Sequence, residues 1–235
     1  MSLPSEPKLS TQNSTMKRPR SFICTLTISC LGLIGSITRA SAATIILDWT
    51  VGSGVPDANF VGVADTRTVS SAILGITSVE VRLELSGGWN GDIYAYLNHS
   101  SGFSVLLNRP GKSTGNLIGS GSSGFTITFS DAAAADVHTS LANSGLITGT
   151  YQPNARTADP STVLDTSPRA AFLSSFNGLS ASGDWTLFVS DTEAGDESIL
   201  VGWGLTINGT VPEPGCTMLM LLGIAGVTMR RRRSL

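Results

Sequence analysis

GDWTLFVSDTEAGDESILVGWGLTI, residues 183–207, is the stretch that decides the fold of this chain. On both sides of its central acidic loop, apolar residues alternate with polar or small residues, which predicts two half-buried strands. Trp185 in the first strand and Trp203 in the second supply a large apolar area for a small all-β core. The loop between them, residues 191–197, contains four carboxylates in seven residues. We therefore expect the rest of the domain to pack against this hairpin-like unit.

The sequence before this unit contains further short strands and no long helix. Alternation predicts strands at residues 45–47, 79–85, 93–97, 104–107 and 125–129, with an edge strand at residues 148–152. Ser130-Asp131 before four alanines predicts one N-capped helical turn, and residues 170–176 predict one or two more. Residues 52–65 and 108–124 are rich in glycine and predict loops, the second of them mobile and on the surface. Short strands without a long helix predict an all-β fold, a β-sandwich.

The composition and the distribution of charge favour some classes of protein function and exclude others. Charged residues make up 14% of the chain and aromatic residues 6%, with 26 glycines, a pattern typical of exported all-β proteins. Residues 43–211 contain 6 Lys and Arg against 15 Asp and Glu, a net charge of −9, and the other 9 basic residues lie in the terminal segments. We expect no nucleic-acid partner, because neutralising phosphates requires clusters of Lys and Arg. The acidic middle is compatible with calcium or with solubility alone.

The N-terminal segment predicts export. Met16 opens a short basic stretch, an apolar stretch follows at residues 22–37, and the small residues Ala40 and Ala42 then form a signal-peptidase site with cleavage after Ala42. An uncleaved N-terminal anchor is the alternative, and the start codon is open between Met1 and Met16. All three cysteines lie in the terminal segments, at Cys24, Cys30 and Cys216. A processed domain would therefore contain no disulfide.

The C-terminal segment carries a sorting pattern. A Pro-Glu-Pro tripeptide is followed by an apolar run at residues 216–229 and then by four arginines, which mark a cytoplasmic end. The motif residues are Pro212, Glu213, Pro214, Arg230, Arg231, Arg232 and Arg233. This order of parts resembles the PEP-CTERM sorting signal. The resemblance implies a Gram-negative bacterium that makes exopolysaccharide, an inner-membrane intermediate, processing by an exosortase, and delivery to the cell envelope, surface or extracellular matrix.

Several segments in the middle of the chain carry a second family pattern, namely residues 91–97, 101–102, 149–153, 173–178, 183–191, 195–196 and 203–207. Together they resemble the P domain (Homo B) that follows the catalytic domain of subtilisin-like proprotein convertases. The resemblance implies a jelly-roll-like β-sandwich without catalytic residues that stabilises a neighbouring protease domain. Glu197 and the long segment 108–124 depart from the family pattern. We expect three parts: an N-terminal extension with a signal peptide (1–42), a P-domain-like sandwich (43–210) and a C-terminal short transmembrane sorting helix (211–235).

Four carboxylates at predicted strand ends form the candidate metal site: Asp92, Asp191, Glu193 and Asp196. Calcium takes roughly 6–8 oxygen ligands and suits loops rich in Gly and Asp, so a bound Ca²⁺ is one interpretation. Asp92 and Asp191 are also suited to capping turns by accepting backbone N–H bonds. A catalytic pair of carboxylates would need a cleft lined with aromatic residues, whereas most of the tryptophans fall on apolar strand faces. Turn capping and calcium therefore both stay open.

Trp89 lies in the turn Gly-Gly-Trp-Asn-Gly rather than in a strand. An exposed tryptophan beside Asn90 would stack on a sugar ring, which makes this pair the candidate glycan contact. The alternative is that Trp89 tucks under the edge of the sandwich.

Features of catalysis are missing from the sequence. The two histidines, His99 and His138, lie in predicted loops, where histidines are usually solvated, and the chain has no Gly-x-Ser-x-Gly elbow. No residues remain to build the protease that a P domain normally accompanies. We therefore predict that the protein is not an enzyme.

Two functional hypotheses follow from these features. In the first, the protein is a structural or binding component of the envelope or matrix that contacts exopolysaccharide or envelope proteins. In the second, it is an accessory module that binds or stabilises a separate protease or glycan-active enzyme. The second hypothesis predicts an exposed apolar surface on the sandwich.

Overall fold

The computed structural model describes residues 40–140 and 145–212, which form nine strands and two short 3-10 helices. The strands are β1 (Ala40–Val55), β2 (Asn59–Val69), β3 (Gly75–Gly87), β4 (Ile93–His99), β5 (Gly102–Asn108), β6 (Phe125–Phe129), β7 (Ile147–Tyr151), β8 (Gly183–Asp191) and β9 (Ser198–Pro212). The 3-10 helices span Asn90–Asp92 and Leu173–Phe176. The prediction of an all-β protein is confirmed.

The strands form two sheets that pack as a sandwich. The five-stranded sheet has the order β1-β9-β3-β6-β7, and the four-stranded sheet has the order β2-β8-β4-β5. Neighbouring strands are antiparallel except β6 and β7, which are parallel. Strand β7, the predicted edge strand, lies at the margin of its sheet. The predicted hairpin of β8 and β9 is wrong: β8 lies between β2 and β4, whereas β9 lies between β1 and β3 in the other sheet. The acidic loop therefore crosses from one sheet to the other.

The core lies between the two sheets and is built from the alternate residues that the pattern predicted. The largest fully buried side chains include those of Trp185 in β8, Trp203 in β9, Phe125, Phe129 and Phe176. The ring of Trp49 contacts that of Trp203, with their centroids 4.5 Å apart. Burying each such side chain contributes about 1.5–3 kcal/mol, so this inter-sheet cluster is the main source of stability.

The loop predicted at residues 52–65 is wrong. Strand β1 continues to Val55, and β2 begins at Asn59. The pairing of β1 with β9 shifts between Thr50 and Ser53, where Gly52 has φ +69°. A glycine with positive φ inside a strand marks a β-bulge, and its sequence signal is the same as that of a loop.

The segment 109–124 packs against the sandwich over much of its length instead of forming a surface loop. Its Ser120 and Ser122 are fully buried. The backbone N–H of Gly91 donates to the Ser120 carbonyl and that of Asn90 to the Ser122 carbonyl, both at 2.9 Å. Backbone pairing with the first 3-10 helix therefore orders the inner half of this segment.

Asp131 caps a different helix from the one that the sequence suggested. Residues 131–135 form turns and bends rather than a helix. Its carboxylate instead accepts the backbone N–H groups of Leu173 and Ser174, at 3.1 and 2.7 Å, across more than forty positions of chain. These N–H groups belong to the first turn of the second 3-10 helix and have no partner within it.

The predicted targeting segments lie mostly outside the described residues. Within residues 40–140 and 145–212, no helix has the length and hydrophobicity that a bilayer crossing requires. The expected sorting helix, together with Glu213, Pro214 and Arg230 to Arg233, falls beyond the described part of the chain. The predicted cleavage site falls inside β1, where Ala40 pairs with Pro212 and Ala42 pairs with Thr210. Cleavage after Ala42 would leave β1 from Ala43 onward.

Candidate functional site

Five connections meet at one end of the sandwich, which we call the loop end. It comprises residues 56–62, 88–92, 109–124, 145–146 and 192–199. Backbone hydrogen bonds join these connections to one another: Ala58 N–H donates to the Glu193 carbonyl at 3.2 Å, and Thr192 N–H donates to the Asp92 carbonyl at 3.0 Å. The loop end is therefore one continuous surface rather than a set of separate loops.

Arg109, at the end of β5, lies at the centre of the acidic cluster. Its guanidinium contacts Glu193 Oε1 through Nη1 at 2.5 Å and Asp92 Oδ1 through Nη2 at 3.2 Å, and Nε donates to the Gly91 carbonyl at 3.1 Å. The side chain is only 4% exposed. Arg109 thus links the connections after β3, β5 and β8. The sequence pattern does not predict this role, although a basic residue directly after a strand in an acidic domain is a usable signal.

Opposing influences act on the pKa of Asp92. Burial raises its pKa to about 6, the Arg109 guanidinium counteracts this shift, and the carboxylates of Glu193 and Asp196 reinforce it. The Asp92 carboxyl therefore protonates in mildly acidic solution, unlike an ordinary surface aspartate.

Asp191 is the most enclosed of the four predicted ligands. Its side chain is 1% exposed, and burial raises its pKa to about 6, with the nearby carboxylates of Asp92 and Asp57 adding to the shift. Oδ1 accepts the N–H of Glu193 at 3.4 Å, which is the turn-capping role that the sequence suggested. Oδ2 has no hydrogen-bond partner in the described part of the chain.

The four predicted ligands do not fit a calcium ion. Asp92 and Glu193 are paired with Arg109, Asp191 is buried, and Asp196 points into solvent. No group of three or more His, Cys, Asp or Glu side chains within residues 40–140 and 145–212 is arranged to hold a metal. Calcium needs roughly 6–8 converging oxygens, whereas here a guanidinium supplies the positive charge. In the described part of the chain these four side chains therefore do not converge on one cation, and calcium binding stays a prediction.

Trp89 and Asn90 join the connection before β4 to segment 109–124. Asn90 is 1% exposed, and its amide donates to the Gly124 carbonyl at 3.0 Å, so this side chain is engaged within the fold and the glycan contact stays a prediction. Trp89 is half-buried, its indole N–H donates to the Ile118 carbonyl at 3.1 Å, and its ring packs against Gly121. The tryptophan tucks against segment 109–124, as the alternative interpretation expected.

Both histidines are interior residues rather than solvated loop residues. His99 ends β4, its ring stacks on Trp185 with centroids 4.0 Å apart, and its two nitrogens face the carbonyls of Asp184 and Ser180 at 2.9 and 2.8 Å. The His138 ring nitrogens bond the Lys112 carbonyl and the Asn154 amide, each at 2.8 Å. Burial lowers the pKa of His138, which favours its neutral form. Within the described residues, each ring is occupied by structural contacts.

Comparisons with known proteins give little beyond this geometry. No family model matches the chain, and no curated protein matches it. The solved structures that match include a complex of the Aeromonas sobria serine protease with its chaperone, at 14% identity, and the Aeromonas sobria serine protease itself, at 16%. Each match has a TM-score of 0.41 and covers 72% of this chain but only 27% of the other. This chain thus spans about a quarter of their length, and the TM-score is too low to establish a shared fold or function.

Proposed function

We propose that the protein is an exported, non-catalytic β-sandwich that is sorted to the cell envelope or extracellular matrix and acts there as a structural or binding component associated with exopolysaccharide. The pairing of Ala40 with Pro212 carries the proposal. Because of it, the segments that precede and follow the sandwich leave from the same end, opposite the loop end. A sandwich held in a membrane through either segment would therefore direct its loop end away from that membrane.

The family assignments are part of the same proposal. Two antiparallel-rich sheets of five and four strands are compatible with a jelly-roll-like P domain. The Pro-Glu-Pro pattern that begins at Pro212, directly at the end of β9, supports a PEP-CTERM signal processed by an exosortase of a Gram-negative bacterium. Processing there would release the sandwich without removing any strand that forms its core.

The proposal of a non-catalytic role is supported by the way that the reactive side chains are used. The carboxylates that come together are paired with Arg109, and the imidazoles of His99 and His138 contact backbone carbonyls or an amide. General acid–base catalysis requires such a group to reach a substrate proton, whereas both imidazoles are buried and Asp92 and Glu193 are paired with Arg109.

Intact-mass measurement and cell fractionation in the host, with and without the exosortase, test the sorting route. We expect a mature protein that lacks the residues up to Ala42 and the tail beyond about Pro212, found outside the inner membrane. Deleting the exosortase should retain the full tail in the inner-membrane fraction. An unprocessed tail in the normal host would contradict the proposal and leave a periplasm-facing anchored module.

The second candidate function, an accessory module for a separate protease or glycan-active enzyme, is favoured by one observation. Large apolar side chains are exposed at the loop end, with Val61 81% and Leu117 65% accessible. Exposed apolar patches of this kind mark interaction surfaces. Pull-down from an envelope extract and a polysaccharide-binding assay, both with the mature protein, separate this function from the matrix role.

A further inference from the structure

The exposed apolar side chains of the sandwich are concentrated at the loop end. Eight large hydrophobic side chains are exposed in residues 40–140 and 145–212. Six of them belong to the loop end: Phe60, Val61, Leu117, Ile118, Leu146 and Ile199. The other two, Ile46 and Leu74, lie apart from it, on the outer face of the five-stranded sheet and in the connection before β3.

The strand order fixes how these side chains are distributed across the loop end. In the four-stranded sheet the order β2-β8-β4-β5 places Phe60 and Val61, at the start of β2, on one flank. The connection after β5 carries Leu117 and Ile118, and Ile118 contacts Trp89 and Gly91 before β4, on the side of β8 away from β2. The acidic loop 192–197 leaves from β8 between them. The surface is therefore an acidic strip with an apolar group on each side.

The charge of this strip is not balanced by exposed cations. The carboxylates of Asp57, Glu193, Asp196 and Glu197 belong to exposed residues of the loop end. Its two basic residues are both buried. Arg109 is paired with Asp92 and Glu193, and the ammonium of Lys112 donates to the carbonyls of Pro160 and Ser161, at 3.2 and 2.7 Å.

A groove of about 410 Å³ runs along one side of the strip. It is lined by the end of β1, the start of β9 and the connections β1–β2 and β8–β9, and its lining residues include Asp57, Glu197, Val55, Pro56 and Ile199. Acidic and apolar groups thus share one concave surface.

We propose that the loop end is a docking surface for a protein partner that presents basic side chains between apolar ones. Its charge selects this occupant, because an acidic strip attracts Lys and Arg and repels an acidic or a self-identical surface. The flanking Val61, Leu117 and Ile118 supply the apolar area on which affinity depends. The inference rests on the proposed role as a binding component, and it holds whichever route delivers the protein.

The terminal segments join the sandwich at Ala40 and Pro212, which pair at the end opposite the loop end. Strand β1 alone has 16 residues, or roughly 50 Å at about 3.3 Å per residue. A terminal segment would have to span that length to reach the loop end, whereas a separate molecule docks there directly.

Site-specific photo-crosslinking of the full-length protein in its host tests the proposal. A photoreactive amino acid is placed at Val61 and, separately, at Ile118, which lie on opposite flanks of the acidic strip. Leu74, 58% exposed and distant from the loop end, is the matched control position. We expect the same partner protein to crosslink from both flanks and not from Leu74, through peptides that contain Lys or Arg beside apolar residues.

The captured partner is then purified, and its affinity is measured with a charge-reversed variant, Asp196→Lys together with Glu197→Lys. Both residues are exposed, so melting temperature should stay unchanged, and the affinity should fall at least tenfold with weaker salt dependence. An adduct with the chain's own terminal segment, with a second copy or with polysaccharide alone would overturn the proposal. Equal capture from Leu74, absence of any adduct, or an affinity unaffected by charge reversal would overturn it as well. Normal processing in the same cells would show that the sorting route had not failed.

Discussion

Arg109 joins three connections of the loop end through one guanidinium. Its partners Asp92 and Glu193 lie 17 and 84 positions away in the sequence, so no local pattern connects them. The sequence reveals the carboxylates, because they form a dense acidic loop, but not the cation that they hold. Which positive charge occupies such a cluster is decided by strand order and register, which a period-2 pattern does not specify.

Replacing Arg109 by Met should destabilise the protein by about 3 kcal/mol. The substitution keeps most of the aliphatic volume but leaves the half-buried Asp92 carboxylate without its partner. Arg82→Met is the control, because Arg82 pairs with Asp48, at 2.8 Å, and with Glu84 on the partly exposed outer face, where loss of a pair costs under about 1 kcal/mol. Urea denaturation of the three proteins measures both effects. Equal losses in the two variants would contradict the central role of Arg109.

Asp92 and Asp191 should make the folded state less stable as the pH rises from about 4 to about 7. Their folded pKa values, about 6, lie above the ordinary value of 3.8. Between these values the folded protein binds more protons than the unfolded chain, so this contribution to stability is full below pH 3.8 and is lost above pH 6.

The variant Asp191→Asn isolates this contribution. It keeps an oxygen acceptor for the Glu193 N–H and removes one of the two titrations. We expect its free energy of unfolding to fall less steeply with pH than that of the wild type, because all other groups are common to both proteins. An identical slope in the variant would show that Asp191 does not titrate in this range.

At the scale of elements, the strands were more predictable than the connections. The alternation predicts β3, β4 and β6 correctly, because one face of each strand packs on the core and the other faces outward. The prediction of a loop at residues 52–65 is wrong because Gly52 and Gly62, with φ +69° and +54°, lie at bulges within paired strands. The cap of Asp131 was assigned to the wrong helix because its partners are more than forty residues away.

Gly91 should be essential for the docking of segment 109–124. A Cβ at this position would lie 2.3 Å from the Ile118 carbonyl oxygen and 2.7 Å from the Ser120 nitrogen, both of them backbone atoms. We expect Gly91→Ala to destabilise the protein by about 1–3 kcal/mol and to accelerate amide hydrogen exchange in the segment. Gly115→Ala is the control, because the nearest atom to its Cβ would be 4.0 Å away. Unchanged exchange in Gly91→Ala would contradict this contact.

The acidic loop should be indifferent to calcium. Arg109 already pairs with Asp92 and Glu193, and the described residues contain no convergent set of oxygens for the ion to complete. We expect the melting temperature in excess calcium to match that in a chelator. A rise in calcium that is absent with magnesium would overturn the assignment of Arg109 as the cation of this cluster.

At the scale of the whole molecule, the sequence indicated an exported all-β domain but not how its parts are arranged. The acidic loop was found from composition, and its neighbours Phe60 and Leu117 were not, because exposed apolar residues in a glycine-rich sequence resemble any other strand or loop residue. Their concentration at one end follows from the positions of β2 and β5 in the sheet order, which depends on long-range pairing. The difference between the loop end and the opposite end of the sandwich therefore becomes visible only when the strand order is known.

The central position of β9 also has a mechanical consequence. Its 15 residues pair with β1 on one side and β3 on the other, and the strand ends at Pro212. Tension applied between Pro212 and the loop end loads both rows of hydrogen bonds in shear, so many bonds must break together. Tension between Ala40 and Pro212 opens the β1–β9 pair one bond at a time. Single-molecule pulling should therefore need a larger force in the first direction, and a sandwich attached through its C-terminal end would resist load along its length.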